Sequence, residues 1–261
     1  MSNHIHIVLC VNKSAALSWS LDTVLRQWHK IHRGTLLTQR YLKGEVLSDI
    51  EIEAVKETAD IYRKRLFDIS WFMRDLNEHI ARKANEEDEC TGRFWEGRFR
   101  SQALLTEKAL LPCMAYVDLN PIRANAAKSL NDSVYTSIYT RLFCPSKNKK
   151  TQGLIPFKGE KRPKNKKYLN LTLKQYCFLL SDSIAALTNS LPKNSTTSSE
   201  VQNVERVIID TTSPEWLQTI SSFENLFSFA VGNTASMLAF KKRTNRKRMA
   251  CIKSAAVCFD D

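Results

Sequence analysis

The sequence predicts an α+β fold in which helices predominate, and three features support this prediction. Apolar residues alternate with other residues over 4–11, which is the period of two typical of a strand. A stretch rich in aromatic residues and arginine, about 92–104, predicts a second strand. Elsewhere, apolar residues recur at helical spacing in several stretches. Strands are therefore combined with a larger number of helices.

The first predicted strand carries the histidines His4 and His6 on one face. Alternate residues of a strand lie roughly 7 Å apart at the backbone and point the same way, so the two imidazoles have a chelating geometry. A histidine pair of this kind also arises through packing or chance, and both interpretations remain open. The opposite, apolar face consists of Ile5, Ile7, Leu9 and Val11.

Three helices are predicted between the two strands. The first covers about 19–32, the second opens with a capping-box pattern at 48–51, and the third covers about 70–84. We expect these helices to form scaffold and core. His29 and His32 lie three apart on the first helix, where they fit either a metal site or, more simply, a polar helix face.

A further helix, capped by Thr106, carries Tyr116 and Asn120 four residues apart and therefore on one face. Pro112 is expected to kink this helix unless it lies in the first turns, and Pro121 is expected to end the helix at Asn120. If this face packs over His4 and His6, two imidazoles and an amide oxygen can bind a divalent cation. Mixed nitrogen and oxygen ligands with open positions suit Mg²⁺ or Mn²⁺ when phosphate supplies the remaining oxygens.

The tyrosine hydroxyl would then lie beside the cation. The phenol of free tyrosine ionises only near pH ~10, so it needs a nearby cation or base to act as a nucleophile. A tyrosine in an apolar helix is more often a core residue, and this alternative stays open. These residues alone indicate a metal-dependent nuclease or a nucleic-acid-binding protein.

The second predicted strand carries side chains suited to single-stranded nucleic acid. Aromatic rings stack on unpaired bases, and arginines contact phosphates. Part of the same aromatic set is equally suited to fill the core. The residues predicted to contact DNA are Arg93, Trp95, Arg98 and Arg100, with Phe94 and Phe99 as further stacking candidates.

The chain has 261 residues and a formal net charge of +12, and its excess charge is localised in two segments, 141–167 and 241–248. Basic clusters attract a polyanion by releasing its counterions, which favours nucleic acid as a partner. A solvated linker and a solubilising tail are the alternative interpretation. The residues of the first cluster assigned to DNA are Lys161, Arg162, Lys164, Lys166 and Lys167.

Composition excludes several other classes of protein. No apolar run approaches the ~20 residues that cross a bilayer, and the N-terminus lacks the order of a signal peptide, so we expect a cytoplasmic protein without membrane contact. The seven cysteines form no C-x-x-C pair and are odd in number, which argues against a zinc ribbon and a disulfide framework. The predicted domains are a core at 1–140 with a helical insertion at about 19–69, a basic linker at 141–167 and a helical C-terminal extension at 168–261.

Three segments together resemble the signature stretches of the single-tyrosine HUH transposases. They are Met1-Ser2-Asn3-His4-Ile5-His6, Gly92-Arg93-Phe94-Trp95-Glu96-Gly97-Arg98-Phe99 and Tyr116-Val117-Asp118-Leu119-Asn120-Pro121-Ile122-Arg123. The branch that this chain resembles most is that of the REP-associated tyrosine transposases, relatives of small insertion-sequence transposases. The resemblance covers roughly residues 1–130.

The resemblance implies a ferredoxin-like α+β core, usually dimeric, with the HUH histidines on a central strand. Family members carry a strand, a helix and another strand ahead of that strand. Because this chain starts at the motif, the expected core is truncated.

The resemblance also assigns roles to residues of the site. It implies that Tyr116 attacks a DNA phosphate to leave a 5′-phosphotyrosine bond, with His4, His6 and Asn120 as ligands of Mg²⁺ or Mn²⁺. Arg123, at the end of the tyrosine motif, is counted among the DNA-binding residues. The expected function is transposition of single-stranded or hairpin DNA by cleavage and rejoining. A catalytically inactive DNA-binding remnant and an interaction protein with a fortuitous motif are the alternatives.

Overall fold

The computed structural model describes residues 4–144, 153–160, 168–188 and 210–260. The chain divides into two compact units. The helical unit comprises Leu9–Arg100, and the motif unit comprises Met1–Val8 together with Ser101–Asp261. The predicted histidine pair and tyrosine motif therefore belong to the same unit, although the whole helical unit separates them in sequence.

Helices make up most of both units. In the described ranges, no helix combines the length and the apolar character needed to cross a membrane. The helical unit contains α1 (Lys13–Ser18), α2 (Leu21–His29), α3 (Leu36–Leu42), α4 (Asp49–Leu66) and α5 (Ile69–Glu87). The motif unit contains β1 (Ala103–Leu104), α6 (Glu107–Asp118), α7 (Asn120–Arg123), a 3₁₀ turn (Leu130–Asp132), α8 (Ser137–Phe143), α9 (Leu173–Leu187), α10 (Pro214–Leu226), β2 (Ala230–Val231), α11 (Thr234–Arg243) and α12 (Ile252–Phe259).

The strands are much shorter than the sequence predicts. Strands β1 and β2 pair in parallel, with Ala103 opposite Ala230. The prediction of strands over 4–11 and 92–104 is wrong except at Ala103–Leu104, because residues 4–12 and 92–102 form no regular ladder. Alternation of apolar residues makes a strand possible, but a strand forms only where a second strand completes its hydrogen bonds. The mixed, mainly helical class is confirmed, and the ferredoxin-like core is not.

Local capping signals predict the helix starts well. The Ser48 hydroxyl accepts a hydrogen bond from the Glu51 amide at 3.4 Å, and the Glu51 carboxylate accepts one from the Ser48 amide at 2.8 Å, so the predicted capping box is present. The Thr106 hydroxyl accepts from the Ala109 amide at 3.3 Å and starts α6 as expected. Helix α6 continues through Pro112 to Asp118.

The helical unit is built around the packing of α2 against α4. The rings of Trp28 and Tyr62 stack at 4.2 Å between centroids with an interplanar angle of 9°. His29 shares a 3.0 Å hydrogen bond with Thr38, and His32 lies 3.0 Å from the Asp75 carboxylate. The two histidines thus bind separate partners on α3 and α5, as expected of a polar helix face.

The motif unit is built around α6 and α10, which pack side by side. Each of these helices contributes to two apolar clusters. Ala115 of α6 and Leu119, which caps its C-terminal end, join Ile220 of α10 in the first cluster, whereas Ala109 of α6 joins Phe223 of α10 in the second. Displacing either helix would therefore disturb both clusters at once.

A buried carboxylate fixes the C-terminal end of α6. Asp118, 1% exposed, accepts hydrogen bonds from the Ser137 hydroxyl at 2.9 Å, the Ile138 amide at 3.2 Å and the Tyr176 hydroxyl at 2.8 Å. Burial raises the pKa of Asp118, and these three donors oppose that change. The network joins α6 to α8 and α9, only two residues beyond Tyr116.

We predict that Tyr176→Phe lowers the free energy of unfolding by about 1–3 kcal/mol, because it leaves a buried oxygen of Asp118 without its hydroxyl donor. Urea unfolding followed by circular dichroism measures this change. Tyr135→Phe is the matched control, since Tyr135 is fully exposed. Equal stabilities of the two variants would contradict the assigned role of the Asp118 network.

Candidate functional site

The two motif histidines lie together in the motif unit even though they do not form a strand. The ring centroids of His4 and His6 are 4.8 Å apart, with an interplanar angle of 78°. The His6 side chain is only 13% exposed. The structure therefore brings the predicted pair into contact, with one ring largely shielded from water.

His6 has one bonded and one unbonded ring nitrogen. Its Nδ1 lies 3.0 Å from Oε1 of Glu224, a residue of α10. Its Nε2 is buried, and among the described residues it has no hydrogen-bond partner. A buried polar atom without a partner is costly, so such an atom often marks the position of a missing ligand.

The surroundings of His6 favour its neutral form. Burial lowers the pKa of His6 most, and the electrostatic effects of His4 and Arg123 lower it further, against the opposing effect of Glu224. In the neutral ring, the Nδ1–H donates to the carboxylate and Nε2 carries a lone pair. Histidine binds metals through such a lone pair of the neutral ring.

Tyr116 projects from α6 into the same cluster. Its ring centroid lies 5.4 Å from that of His6 and 5.8 Å from that of Phe223. The Arg123 guanidinium carbon lies 3.8 Å from the centroid of the tyrosine ring, in a cation–π contact. Tyr116 is partly exposed, so it contributes to the core and is also accessible from solvent.

Arg123 connects the tyrosine motif to α10. Its Nη1 donates to the Ser221 carbonyl at 2.6 Å, and its Nη2 donates to the Tyr116 carbonyl at 3.2 Å and to Oδ1 of Asn120 at 3.0 Å. The acceptor on α10 directly precedes Ser222, where the helix is interrupted by φ −135° and ψ 28°. Arg123 was predicted to contact DNA, and the structure adds these internal contacts.

Asn120 lies at the start of α7, not on the face of α6 that the sequence predicts, because α6 ends at Asp118. Its side chain is buried, with 7% exposure. Its amide oxygen accepts a hydrogen bond from the Arg123 guanidinium at 3.0 Å.

The donor atoms partly fit the predicted metal. No group of three or more His, Cys, Asp or Glu arranged around a metal position occurs among the described residues. The predicted set of His4, His6 and Asn120 does not depend on such a group, because its third donor is an amide. The unbonded Nε2 of His6 is the observation that fits a metal ligand best.

A cysteine beside the site is not a competing nucleophile. Burial raises the pKa of the Cys113 thiol to about 12, and the negative charge of Glu224 adds to this effect. The thiolate is the reactive form of cysteine, so a thiol held protonated is inert. Tyr116 is then the better candidate for nucleophilic attack in this part of the unit.

The arginine-rich segment predicted to contact DNA lies in the helical unit as an exposed loop. Arg93 donates to the carbonyl of Trp95 at 2.8 Å, and the indole of Trp95 donates to the carbonyl of Asn77 at 2.8 Å. Arg98 and Arg100 are exposed. The rings of Phe94 and Phe99 are also exposed, by 43% and 36%, so the segment contributes little to the core.

Of the two basic clusters, the structure describes Lys241–Arg248 in full, whereas it does not describe the residues of the first cluster that were assigned to DNA. Lys161, Arg162, Lys164, Lys166 and Lys167 lie outside the described residues. Lys241–Arg248 covers the last turn of α11 and the loop after it, and most of its side chains are exposed. The Arg246 guanidinium contacts the Phe229 ring at 4.2 Å.

Sequence reasoning missed Glu224. Its neighbours on α10 predict an ordinary amphipathic helix, and no motif or spacing relates this carboxylate to a histidine near the start of the chain. The two residues meet through the tertiary packing of the motif unit.

No protein-family model, no curated protein and no solved structure matches this chain. The function of the site is therefore proposed from its own residues, their geometry and the motifs in which they stand.

We predict that Arg123→Lys lowers the free energy of unfolding by about 1–2 kcal/mol, because an ammonium group cannot reproduce the forked hydrogen bonds between α7 and α10. Chemical unfolding measures the change. Arg82→Lys is the control, since Arg82 is 79% exposed and its ion pair is with Glu78 on its own helix. A loss no larger than that of the control would show that Arg123 does not hold the two helices together.

Proposed function

We propose that the chain is a metal-dependent transposase that cleaves and rejoins single-stranded or hairpin DNA through Tyr116. The observation that carries the proposal is the cluster of His4, His6 and Tyr116. The ring centroid of His6 lies 4.8 Å from that of His4 and 5.4 Å from that of Tyr116. A histidine pair that can hold a cation beside a partly exposed tyrosine suits nucleophilic attack on a phosphodiester. The resemblance of the motifs to HUH transposases supports the same function.

His4, His6 and Asn120 would hold the cation, Mg²⁺ or Mn²⁺. The bound cation supplies charge stabilisation and orients the scissile phosphate. The Nε2 of His6 has no hydrogen-bond partner in the described part of the chain. The amide of Asn120 is held in place by Arg123.

The reaction is a transesterification that needs no external energy. The hydroxyl oxygen of Tyr116 attacks a DNA phosphorus, the bond from phosphorus to the 3′ oxygen breaks, and the phenol proton ends on that oxygen as a 3′ hydroxyl. The product is a 5′-phosphotyrosine bond. Attack by the 3′ hydroxyl of another strand reverses the step, joins the new end and returns the proton to Tyr116.

DNA would be guided by exposed arginines and lysines. Candidate contacts are Arg98 and Arg100 of the helical unit and the segment Lys241–Arg248 of the motif unit, all largely exposed. Phosphate contacts of this kind produce salt-sensitive, sequence-independent binding. Transposases with this motif set are usually dimeric, so a homodimer belongs to the proposal.

A DNA-binding protein without cleavage activity is the second candidate. It is favoured by the Asn120 amide oxygen, which already accepts a hydrogen bond from Arg123. An amide committed in this way is a weaker metal ligand. Salt-sensitive binding without metal-dependent cleavage would identify this function.

We predict that the wild-type chain forms a covalent adduct with single-stranded DNA taken from the flanks of its own gene in the presence of Mg²⁺ or Mn²⁺. Tyr116→Phe removes the attacking oxygen and should abolish the adduct. Mass analysis under denaturing conditions detects the adduct and locates it on the chain.

Tyr135→Phe is the matched control, because it removes a hydroxyl from an exposed tyrosine of the same unit. It should form the adduct at the wild-type rate. DNA binding by Tyr116→Phe should stay within about twofold of wild type, since the phosphate contacts are unchanged. Equal adduct yields from Tyr116→Phe and wild type would remove Tyr116 from the mechanism.

A further inference from the structure

We propose that Glu224 is a positioning residue that fixes the ring of His6 so that Nε2 presents its lone pair to a divalent cation. The proposal rests on the proposed function, because it treats His6 as a metal ligand. It gives the C-terminal region a specific task, which is to complete the site around the motif histidines.

The carboxylate contacts one ring nitrogen of His6 and leaves the other ring nitrogen for a ligand. The Glu224 carboxylate lies 3.0 Å from Nδ1 of His6, on the ring atom that is not available as a ligand. The other nitrogen, Nε2, is buried and has no hydrogen-bond partner among the described residues. Metal-binding histidines commonly donate their second ring N–H to a carboxylate, which sets the tautomer and the ring orientation.

The tautomer follows from the chemistry of the partner. An ionised carboxylate only accepts hydrogen bonds, so the proton of a neutral His6 must lie on Nδ1. If the proton were on Nε2, a buried N–H would lack an acceptor and Nδ1 would face the carboxylate with a lone pair. Both changes are unfavourable.

Helix α10 holds Glu224 in place through its neighbours. Phe223 is 2% exposed and packs against Tyr116 and Phe227. The Ser221 carbonyl accepts a hydrogen bond from Arg123. Residues on the N-terminal side of Glu224 are therefore anchored to the tyrosine motif, and the carboxylate is directed to His6.

The contact between Glu224 and His6 is expected to orient the His6 ring more than it stabilises the fold. The Glu224 side chain is 56% exposed, so water screens its attraction to His6. Removing the carboxylate should therefore leave the fold intact while releasing the ring of His6. This property makes the role testable in folded variants.

The first test is the tautomer of His6 in the metal-free chain, read from long-range ¹H–¹⁵N correlation spectra at neutral pH. His6→Gln assigns the His6 signals among those of the five histidines. The wild type should show a protonated Nδ1 and an unprotonated Nε2. Glu224→Gln, whose amide oxygen still accepts, should keep this tautomer, whereas Glu224→Leu should shift the ring toward the Nε2–H form.

The second test is Mn²⁺ affinity, measured by electron paramagnetic resonance of the free ion. Glu224→Leu should weaken binding by about 10- to 100-fold, and Glu224→Gln should recover part of the loss. Glu215→Leu and Glu215→Gln are the matched controls, because Glu215 is exposed in the first turn of the same helix. Both controls should bind Mn²⁺ as the wild type does.

The outcomes separate this proposal from the proposed function. An unchanged His6 tautomer in Glu224→Leu, or an Nε2–H tautomer in the wild type, would overturn the role of Glu224 even if DNA cleavage occurs. Absence of Mn²⁺ binding by the wild type would overturn the metal site, and with it the claim that His6 is positioned for a metal. A tautomer shift together with the matching loss of Mn²⁺ affinity would support the proposal even before a DNA substrate is known.

Discussion

The motif unit depends on the contact between α6 and α10 and on the guanidinium of Arg123 that joins them. Arg123 donates to the carbonyls of Ser221 and Tyr116 and to the amide oxygen of Asn120, and it covers the ring of Tyr116. One side chain thus sets the position of the tyrosine relative to α10. An arginine fork can make several hydrogen bonds at once, and its acceptor on α10, the Ser221 carbonyl, lies next to the interruption of that helix at Ser222.

The site combines a buried, firmly held residue with residues that are partly exposed to solvent. Asp118, two residues beyond Tyr116, is held by donors from α8 and α9, so the end of α6 has little freedom. Tyr116 itself is only partly buried, and Glu224 is more than half exposed. A rigid helix that presents a partly exposed phenol suits a reaction in which the nucleophile must meet a large substrate from solvent.

Local signals in the sequence predicted the starts of the capped helices α4 and α6 well and the strands poorly, and the reason is physical. A cap such as Ser48 or Thr106 acts on amides two or three residues away, so its effect is contained in a short stretch. The strands predicted over 4–11 and 92–104 depended on partners elsewhere in the chain. The contact of His6 with Tyr116 was anticipated because both belong to recognisable motifs. Glu224 was not, because no local pattern encodes a contact made only by tertiary packing.

The charges around His6 indicate what kind of ligand the site would accept. Arg123 contributes a fixed positive charge near His6, and Glu224 contributes a negative charge. A divalent cation bound to His6 would add two positive charges. A loaded site would therefore carry a net positive charge next to the phenol of Tyr116. Such a site attracts an anion and stabilises the negative charge that develops as a phosphodiester is attacked. The electrostatics of a loaded cluster and the nucleophilic role proposed for Tyr116 would thus favour the same class of substrate, a phosphate of nucleic acid.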